Sequence, residues 1–257
     1  MITNTVYAHL PYPLIKVHLD AIIGARINTE IYFSSDALNS AVPGELAPLA
    51  ELLAANELKT TFHAPFIDLN PGSLEPLVRQ ATLHRFNQLF DVAEVIRPSV
   101  IVFHPGYDRW RYGETWQKWL DNSIDFWQKL LVRAERIGCT IAVENIFEEE
   151  PSTLRLLFEA IDSPLFRHCF DVGHWNLFAK VSLDDWFAQV GGYIAEAHLH
   201  DNNGIRDDHL PLGEGGIDFY ALFALLKRHA PEAAYTLEAH SREGLERAHK
   251  NLSVYLR

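Results

Sequence analysis

The segment V-I-V-F-H at residues 100–104 is a short β-branched run that ends in a histidine. Side chains alternate between the two faces of a strand, so Val100 and Val102 share the face of His104. Small or β-branched residues on one face, followed by a polar residue at the carboxyl end, are typical of a strand in a barrel with an active site at its mouth. The segment therefore predicts a buried strand that carries His104 to a rim.

The same kind of run recurs along the whole chain. Eight segments are predicted as strands: Val6–Leu10, Ile27–Phe33, Thr60–His63, Val100–His104, Thr140–Glu144, His168–Asp171, Ile194–His198 and Tyr235–Glu238. Their even spacing leaves room for a helix between most neighbours.

The intervening segments have apolar residues at helical spacing. Helices are predicted at Glu45–Ala55, Pro76–Ile96, Trp116–Ile137, Thr153–Ile161, Leu183–Val190, Phe219–His229 and Glu243–Leu256. Strands that alternate with helices in a chain of 257 residues predict an α/β protein, a (β/α)8 TIM barrel in which residues 1–257 form a single domain. An open doubly wound sheet is the alternative, but it needs a reversal of strand order that the pattern does not show.

Composition restricts the class of protein. The formal net charge is −12, with 22 Lys and Arg against 34 Asp and Glu. This acidic field repels polyanions, so a nucleic-acid partner is not favoured. The two cysteines, Cys139 and Cys169, lie in apolar runs and are predicted to be reduced. Because no signal-peptide pattern and no apolar run of membrane-span length occur, a cytoplasmic location and no membrane partner are predicted.

Several predicted strands end in residues that bind metals. Nine candidate ligands lie at or just beyond strand ends: His63, His104, Glu144, Asp171, His174, His198, Asp207, His209 and Glu238. The carboxyl ends of parallel strands meet at one rim, where buried charges need partners. Histidine and carboxylate ligands without cysteine favour zinc, with manganese or iron as alternatives. We expect up to three divalent ions, with Glu144 and Asp171 as bridges. Ordinary polar pairing at the rim is the alternative.

The chain resembles the xylose isomerase-like barrel superfamily, which includes the endonuclease IV-like AP endonucleases. The resemblance covers essentially the whole chain, and the stretch D-D-H-L-P-L-G-E-G is similar to a motif of the endonuclease branch. That branch holds three zinc ions with nine ligands, and the resemblance implies the same nine positions here. The isomerase and epimerase branches use one metal ion, which implies a smaller set: Glu144, Asp171, His198 and Glu238.

Two chemistries follow from these two sets of ligands. The larger set favours hydrolysis of a phosphoester or phosphodiester in a small or medium soluble molecule. The resemblance extends to phosphodiesterases that trim the nucleotide loop of corrinoids, which implies that loop as one example of a substrate. The smaller set favours isomerisation or epimerisation of a sugar or sugar phosphate, with Glu144 and Glu238 as the catalytic groups that exchange protons. DNA repair of the AP endonuclease type is less favoured, because the acidic chain has no basic loop for DNA.

Other residues are predicted to surround the substrate or the rim. His9 lies at the end of the first predicted strand, His200 lies just beyond His198, and Arg109 and Trp110 lie in the loop after the fourth strand, so these four are predicted to contact substrate. The acidic run at residues 148–150 is predicted to be a solvated loop. Glu196 shares the face of His198 below the rim, and the sequence identifies no partner for it.

Overall fold

Eight parallel strands form a closed barrel. The computed structural model describes residues 4–41 and 43–256. The strands are β1 (Val6–Pro11), β2 (Asn28–Tyr32), β3 (Thr60–His63), β4 (Val100–Phe103), β5 (Thr140–Glu144), β6 (Phe166–Asp171), β7 (Ile194–Leu199) and β8 (Ala234–Leu237). Each strand pairs with the next in the chain, and β8 pairs with β1 to complete the ring. The prediction of a single-domain TIM barrel is confirmed.

Helices surround the barrel. They are α1 (Tyr12–Gly24), α2 (Ser35–Ser40), α3 (Pro43–Ala55), α4 (Pro76–Ile96), α5 (Arg109–Tyr112), α6 (Trp116–Ile137), α7 (Ser152–Ile161), α8 (Val172–Phe178), α9 (Leu183–Val190), α10 (Phe219–His229) and α11 (Arg242–Tyr255). The pattern did not reveal α1, α2, α5 and α8. The last three have six, four and seven residues, too few for a helical period to show. No helix within the described ranges is both long and apolar enough to cross a membrane.

The main apolar core lies between the barrel and the helices. Helix α6 contributes Trp119 and Trp127, both fully buried, and ends at Gly138, whose φ of 79° is left-handed. Glycine adopts this conformation without the steric clash of a Cβ. Ile101 and Phe103 of β4 face this outer core. Their burial fixes the parity of β4, so that Val102 faces the barrel axis.

The barrel interior has two chemically different halves. The apolar half consists of Val100, Val102, Ala142 and Cys169, which form a buried cluster of their own on β4, β5 and β6. The polar half consists of Glu30, Thr61, Glu196 and Thr236, buried side chains on β2, β3, β7 and β8. Both cysteines are buried free thiols, as expected.

Thr61 and Thr236 supply the partners that the sequence did not identify for Glu196. The Thr61 hydroxyl donates to Glu196 Oε1 over 3.3 Å, and the Thr236 hydroxyl donates to the same oxygen. Burial, with a contribution from neighbouring Glu30, raises the pKa of Glu196 to about 8. The raised pKa favours the neutral form of this carboxyl group, which reduces the energetic penalty of burying it.

Candidate metal centre

The Glu144 carboxylate lies at the centre of the barrel mouth. Its Oε2 faces Nε2 of His63 at 3.2 Å and Nε2 of His104 at 3.3 Å. Its Oε1 faces Nδ1 of His174 at 3.1 Å and Nδ1 of His198 at 3.7 Å. Four imidazoles, from β3, the loop after β4, α8 and β7, thus converge on one buried carboxylate. One group of donors close enough to share an ion is His63, His104 and Glu144.

A second group surrounds His198. Its Nδ1 faces Glu238 Oε1 at 3.3 Å and Asp171 Oδ2 at 3.8 Å, in addition to Glu144. All four side chains of the smaller predicted set therefore meet at this nitrogen. Glu144, Asp171 and His198 have ligand atoms within 4.8 Å of one another.

The remaining predicted ligands meet on the loop side of the mouth. Asp207 Oδ2 lies 3.0 Å from His209 Nε2 and 3.5 Å from His174 Nε2. His209 Nδ1 also faces Glu238 Oε2 at 3.4 Å. His209 has a left-handed φ of 47°, uncommon for a residue with a side chain. All nine predicted ligands thus lie in one continuous cluster.

Asp201 holds the loop that carries Asp207 and His209. It is buried, and its carboxylate accepts backbone N–H groups from Gly213 at 2.9 Å and Gly215 at 2.8 Å. Its backbone pairs with that of Leu210 in a two-residue bridge. The loop is therefore closed onto the end of β7, which brings its two polar side chains over the rim.

The segments V-E-N and D-V-G-H interlock where β5 and β6 end. Asn145 donates to the carbonyl of Asp171 over 2.8 Å and accepts the Asp171 N–H over 2.9 Å. Asp171 is also the N-cap of α8, because its carboxylate accepts the N–H of His174 over 2.6 Å. A Cβ on Gly173 would lie 2.0 Å from the ring of His200, so only glycine leaves room for that ring.

Backbone carbonyls accept hydrogen bonds from two imidazoles of the cluster. Nδ1 of His63 lies 2.9 Å from the carbonyl of Ala64, and Nδ1 of His174 lies 3.1 Å from the carbonyl of Asn145. A carbonyl can only accept, so these nitrogens carry hydrogens, and the neutral ring of His63 presents a lone pair at Nε2, which faces Glu144. Nδ1 of His174 also faces Glu144, and its Nε2 faces Asp207. Histidines that bind metals are commonly oriented in this way.

Charge is concentrated in the cluster. Burial raises the pKa of Glu144, but His104 and His198 lower it by more than burial raises it, so the pKa is well below its ordinary value. Burial lowers the pKa of His174, but Asp171 and Asp207 more than reverse that effect. The pKa of His104 is lowered, mainly because burial disfavours its charged form. The carboxylates are therefore ionised and require cations or protons nearby.

The donor set fits a divalent cation. His198 Nδ1 is buried and has no hydrogen-bond partner among the described residues, although three carboxylates surround it. A metal ion about 2 Å from each of its ligand atoms holds those atoms roughly 3–4 Å apart. This is the separation between His198 Nδ1 and the three carboxylate oxygens. Nitrogen and oxygen donors without sulfur suit zinc, manganese or iron.

Two buried glutamates belong to the site region but were not predicted there. Glu30 is fully buried and contacts both His9 and His198. Burial raises its pKa, but His198 and His9 lower it below the ordinary value. The available signal was a carboxylate within the otherwise uncharged strand N-T-E-I-Y.

Glu148 is the second, and the prediction of a solvated loop is wrong at this position. Its side chain is buried and accepts the N–H of Ile146 over 2.6 Å. Burial raises its pKa to about 7. Three consecutive glutamates gave no indication of which one turns inward.

The four predicted substrate contacts occupy different environments. His9 is partly exposed and bonded to Glu30, and Trp110 is 82% exposed with Arg109 against its ring. Arg109 pairs with Glu149. His200 is fully buried, with Nε2 3.1 Å from Asp171 Oδ2, which does not favour direct contact with a substrate.

Comparisons with known proteins agree with the fold. The family described as xylose isomerase-like TIM barrel matches residues 30–256. The uncharacterized protein MJ1311 of Methanocaldococcus jannaschii is 30% identical over 225 residues, 83% of this chain and 75% of that protein.

Two solved structures are similar over nearly their whole length. A D-tagatose 3-epimerase-like protein has a TM-score of 0.83 and 26% identity, covering 98% of this chain and 97% of the other. The TTHB071 protein from Thermus thermophilus, studied after soaking with ZnCl2, has a TM-score of 0.78 and 25% identity, with 97% of each chain covered. The family match spans most of the chain and includes the positions of all nine candidate ligands. This chain therefore belongs to the xylose isomerase-like TIM barrel family.

Proposed function

We propose that this protein is a divalent-metal-dependent isomerase or epimerase of a sugar or a similar hydroxy-carbonyl compound. The observation that carries the proposal is that Glu144 and Glu238 both face His198 Nδ1, at 3.7 and 3.3 Å. The likeness to a D-tagatose 3-epimerase-like protein supports this chemistry over hydrolysis, which the sequence alone had favoured.

Glu144, Asp171, His198 and Glu238 would hold the ion. A bound divalent ion polarises a carbonyl and makes a neighbouring C–H more acidic. The second oxygen of each glutamate faces a histidine, with Glu144 Oε2 3.2 Å from His63 Nε2 and Glu238 Oε2 3.4 Å from His209 Nδ1, so a substrate would replace these contacts. Neighbouring imidazoles lower the pKa of both carboxyl groups against the effect of burial, so both are ionised, which is the form that a proton-accepting carboxylate must have.

The two glutamates would exchange protons with the carbon beside the carbonyl. One carboxylate removes the proton, and either the same or the opposite carboxylate returns one. Return from the opposite side inverts the carbon. Return to the adjacent carbon, with the hydroxyl proton passing to the former carbonyl oxygen, moves the carbonyl. His9, which is partly exposed beside Glu238, would bind a substrate hydroxyl.

Deuterium exchange tests the proposal. The zinc- or manganese-loaded protein is incubated with a panel of ketoses and aldoses in D2O, and label at the carbon next to the carbonyl is measured by NMR. We expect exchange with at least one sugar, reduced roughly 10²–10⁴-fold in Glu238→Gln. Glu246→Gln, on the exposed side of α11, is the matched control. Absence of exchange across the panel with every metal would refute the proposal.

Phosphoester hydrolysis is the second candidate, because one observation favours it. His63, His104, His174, Asp207 and His209 join the cluster although a single ion needs only the other four ligands. Two or three ions could neutralise a phosphodiester and lower the pKa of a water molecule. We propose zinc for these positions, with manganese or iron as alternatives.

Metal content and the role of His63 separate the two candidates. Two or three zinc ions per chain, together with phosphate release that His63→Ala and His104→Ala abolish, would favour hydrolysis. Sugar exchange that survives both substitutions would favour the isomerase. Repair activity is tested by incubating the protein with an abasic DNA duplex at low salt and measuring incision of the DNA.

A further inference from the structure

Glu30 connects two histidines of the barrel mouth. It lies in the middle of β2 and is fully buried. Its Oε1 is 2.8 Å from Nδ1 of His9, and its Oε2 is 3.1 Å from Nε2 of His198. The two oxygens of one carboxylate therefore contact imidazoles on two different strands.

These contacts determine where the imidazole hydrogens lie. An ionised carboxylate can only accept hydrogen bonds, so Nδ1 of His9 and Nε2 of His198 must donate. An imidazole that binds a metal ion is neutral and has one N–H, so with Nε2 of His198 donating to Glu30 the other nitrogen presents the lone pair. For His198 that nitrogen is Nδ1, which has no hydrogen-bond partner among the described residues and faces Glu144, Asp171 and Glu238.

We infer that Glu30 is a positioning residue that holds His198 with Nδ1 free to bind the metal ion and holds His9 as a hydrogen-bond acceptor toward the mouth. The inference depends on the metal-binding part of the proposed function and is independent of the reaction. Carboxylates that accept from the second nitrogen of a ligating histidine fix both the ring orientation and the tautomer.

Glu196 provides a matched comparison at the same depth. It is also a fully buried glutamate of the polar half, but its hydrogen bonds come from the hydroxyls of Thr61 and Thr236. A hydroxyl can donate to an amide oxygen as well as to a carboxyl oxygen. Glu196→Gln therefore keeps its contacts, whereas Glu30→Gln presents an NH2 group to one of two nitrogens that must donate.

The experiment measures zinc affinity of the full-length protein by competition with a chromophoric chelator. We expect Glu30→Gln to weaken zinc binding by roughly 10–100-fold and Glu196→Gln to leave it unchanged. Thermal unfolding of the zinc-free proteins checks that both variants fold. Equal zinc affinity in Glu30→Gln and the unsubstituted protein would overturn the inference, as would an equal loss in both variants.

A measurement on the unsubstituted protein keeps the inference testable if Glu30→Gln does not fold. The ¹⁵N shifts of the imidazole rings in the zinc-loaded protein report which nitrogen of His198 carries the hydrogen. Hydrogen on Nε2 supports the positioning role, and hydrogen on Nδ1 overturns it. Neither measurement uses sugar turnover, so a protein without epimerase activity could still bear out the role of Glu30.

Discussion

The two halves of the barrel interior differ in chemistry although they face each other across the same axis. The apolar half buries Val100, Val102, Ala142 and Cys169 against one another. The polar half buries two glutamates and two threonines, with Glu30 connected to His198 and Glu196 connected to hydroxyls. Packing alone would favour apolar residues in both halves, since buried polar groups require partners. We therefore infer that these buried polar side chains serve the residues of the rim above them, as Glu30 does for His198.

Placing a charge in the apolar half tests this contrast with the largest expected effect. Val102→Asp would bury a carboxylate in the apolar half. Among the described side chains of this half, only the thiol of Cys169 can donate a hydrogen bond to it. We expect the free energy of unfolding to fall by about 3–5 kcal/mol, measured by urea denaturation. Val102→Thr, similar in shape, is the control for an uncharged polar group. A loss below about 1 kcal/mol in Val102→Asp would show that the halves do not differ in this way.

A buried histidine on the outer face of β6 sharpens the comparison. His168 donates from Nδ1 to the carbonyl of Val143 and accepts from the indole of Trp186, so it has neutral partners only. Burial lowers its pKa to about 4, in contrast to the raised pKa of His174 among carboxylates. Between about pH 6.5 and 4 the unfolded chain therefore binds a proton that the folded chain does not.

The folded state should consequently lose stability as the pH falls through this window. The contribution of neutral His168 to the free energy of unfolding is fully present above about pH 6.5. It decreases by on the order of 3 kcal/mol as the pH falls to 4. Urea denaturation across this range, compared between the unsubstituted protein and His168→Gln, isolates the effect from that of the rim carboxylates. Parallel pH profiles for the two proteins would contradict the prediction.

Removing one donor from the polar half should have a smaller effect. Thr61→Val keeps the shape of the side chain but deletes one hydroxyl that donates to Glu196. Because Thr236 still donates to the same oxygen, we expect a loss of about 1 kcal/mol in the free energy of unfolding. Thr140→Val, at the half-buried start of β5, serves as control. A higher free energy of unfolding in Thr61→Val would show that the Thr61 hydroxyl does not stabilise the folded protein.

The exposed side of the mouth should contribute least to stability. Trp110 is 82% exposed, so Trp110→Ala is expected to change the free energy of unfolding by less than about 0.5 kcal/mol. If Trp110 covers the substrate, KM for the sugar found by deuterium exchange rises while zinc affinity stays constant. An unchanged KM would remove Trp110 from the predicted substrate contacts.

The rim was predictable because its residues end apolar runs. His63 and Glu144 each close a strand whose preceding residues alternate in a recognisable way, and parallel strands bring such ends together. Glu30 was not predictable in the same way, because it lies inside its strand rather than at the end. Its partners become visible only when β1, β2 and β7 occupy their places in the ring.

Short helices at the mouth were also beyond the sequence pattern. Helix α8 begins directly after β6, with Asp171 as its cap, so no turn separates the two elements. The position of Glu148 depends on a single backbone N–H in the loop after β5. Each of these contacts joins residues only two or three positions apart, so it produces no periodic pattern in the sequence.

Hydrophobic periodicity is a local property, and by itself it determined the alternation of strands and helices and pointed to the donors that close strands, such as His63 and Glu144. The tertiary structure decided which donors face one another, which nitrogen of each imidazole is free, and how the interior divides into two halves. The physical reason is distance along the chain: Glu30 and His198 are 168 residues apart. Their hydrogen bond exists only because the strands close into a barrel and bring the two side chains together away from water.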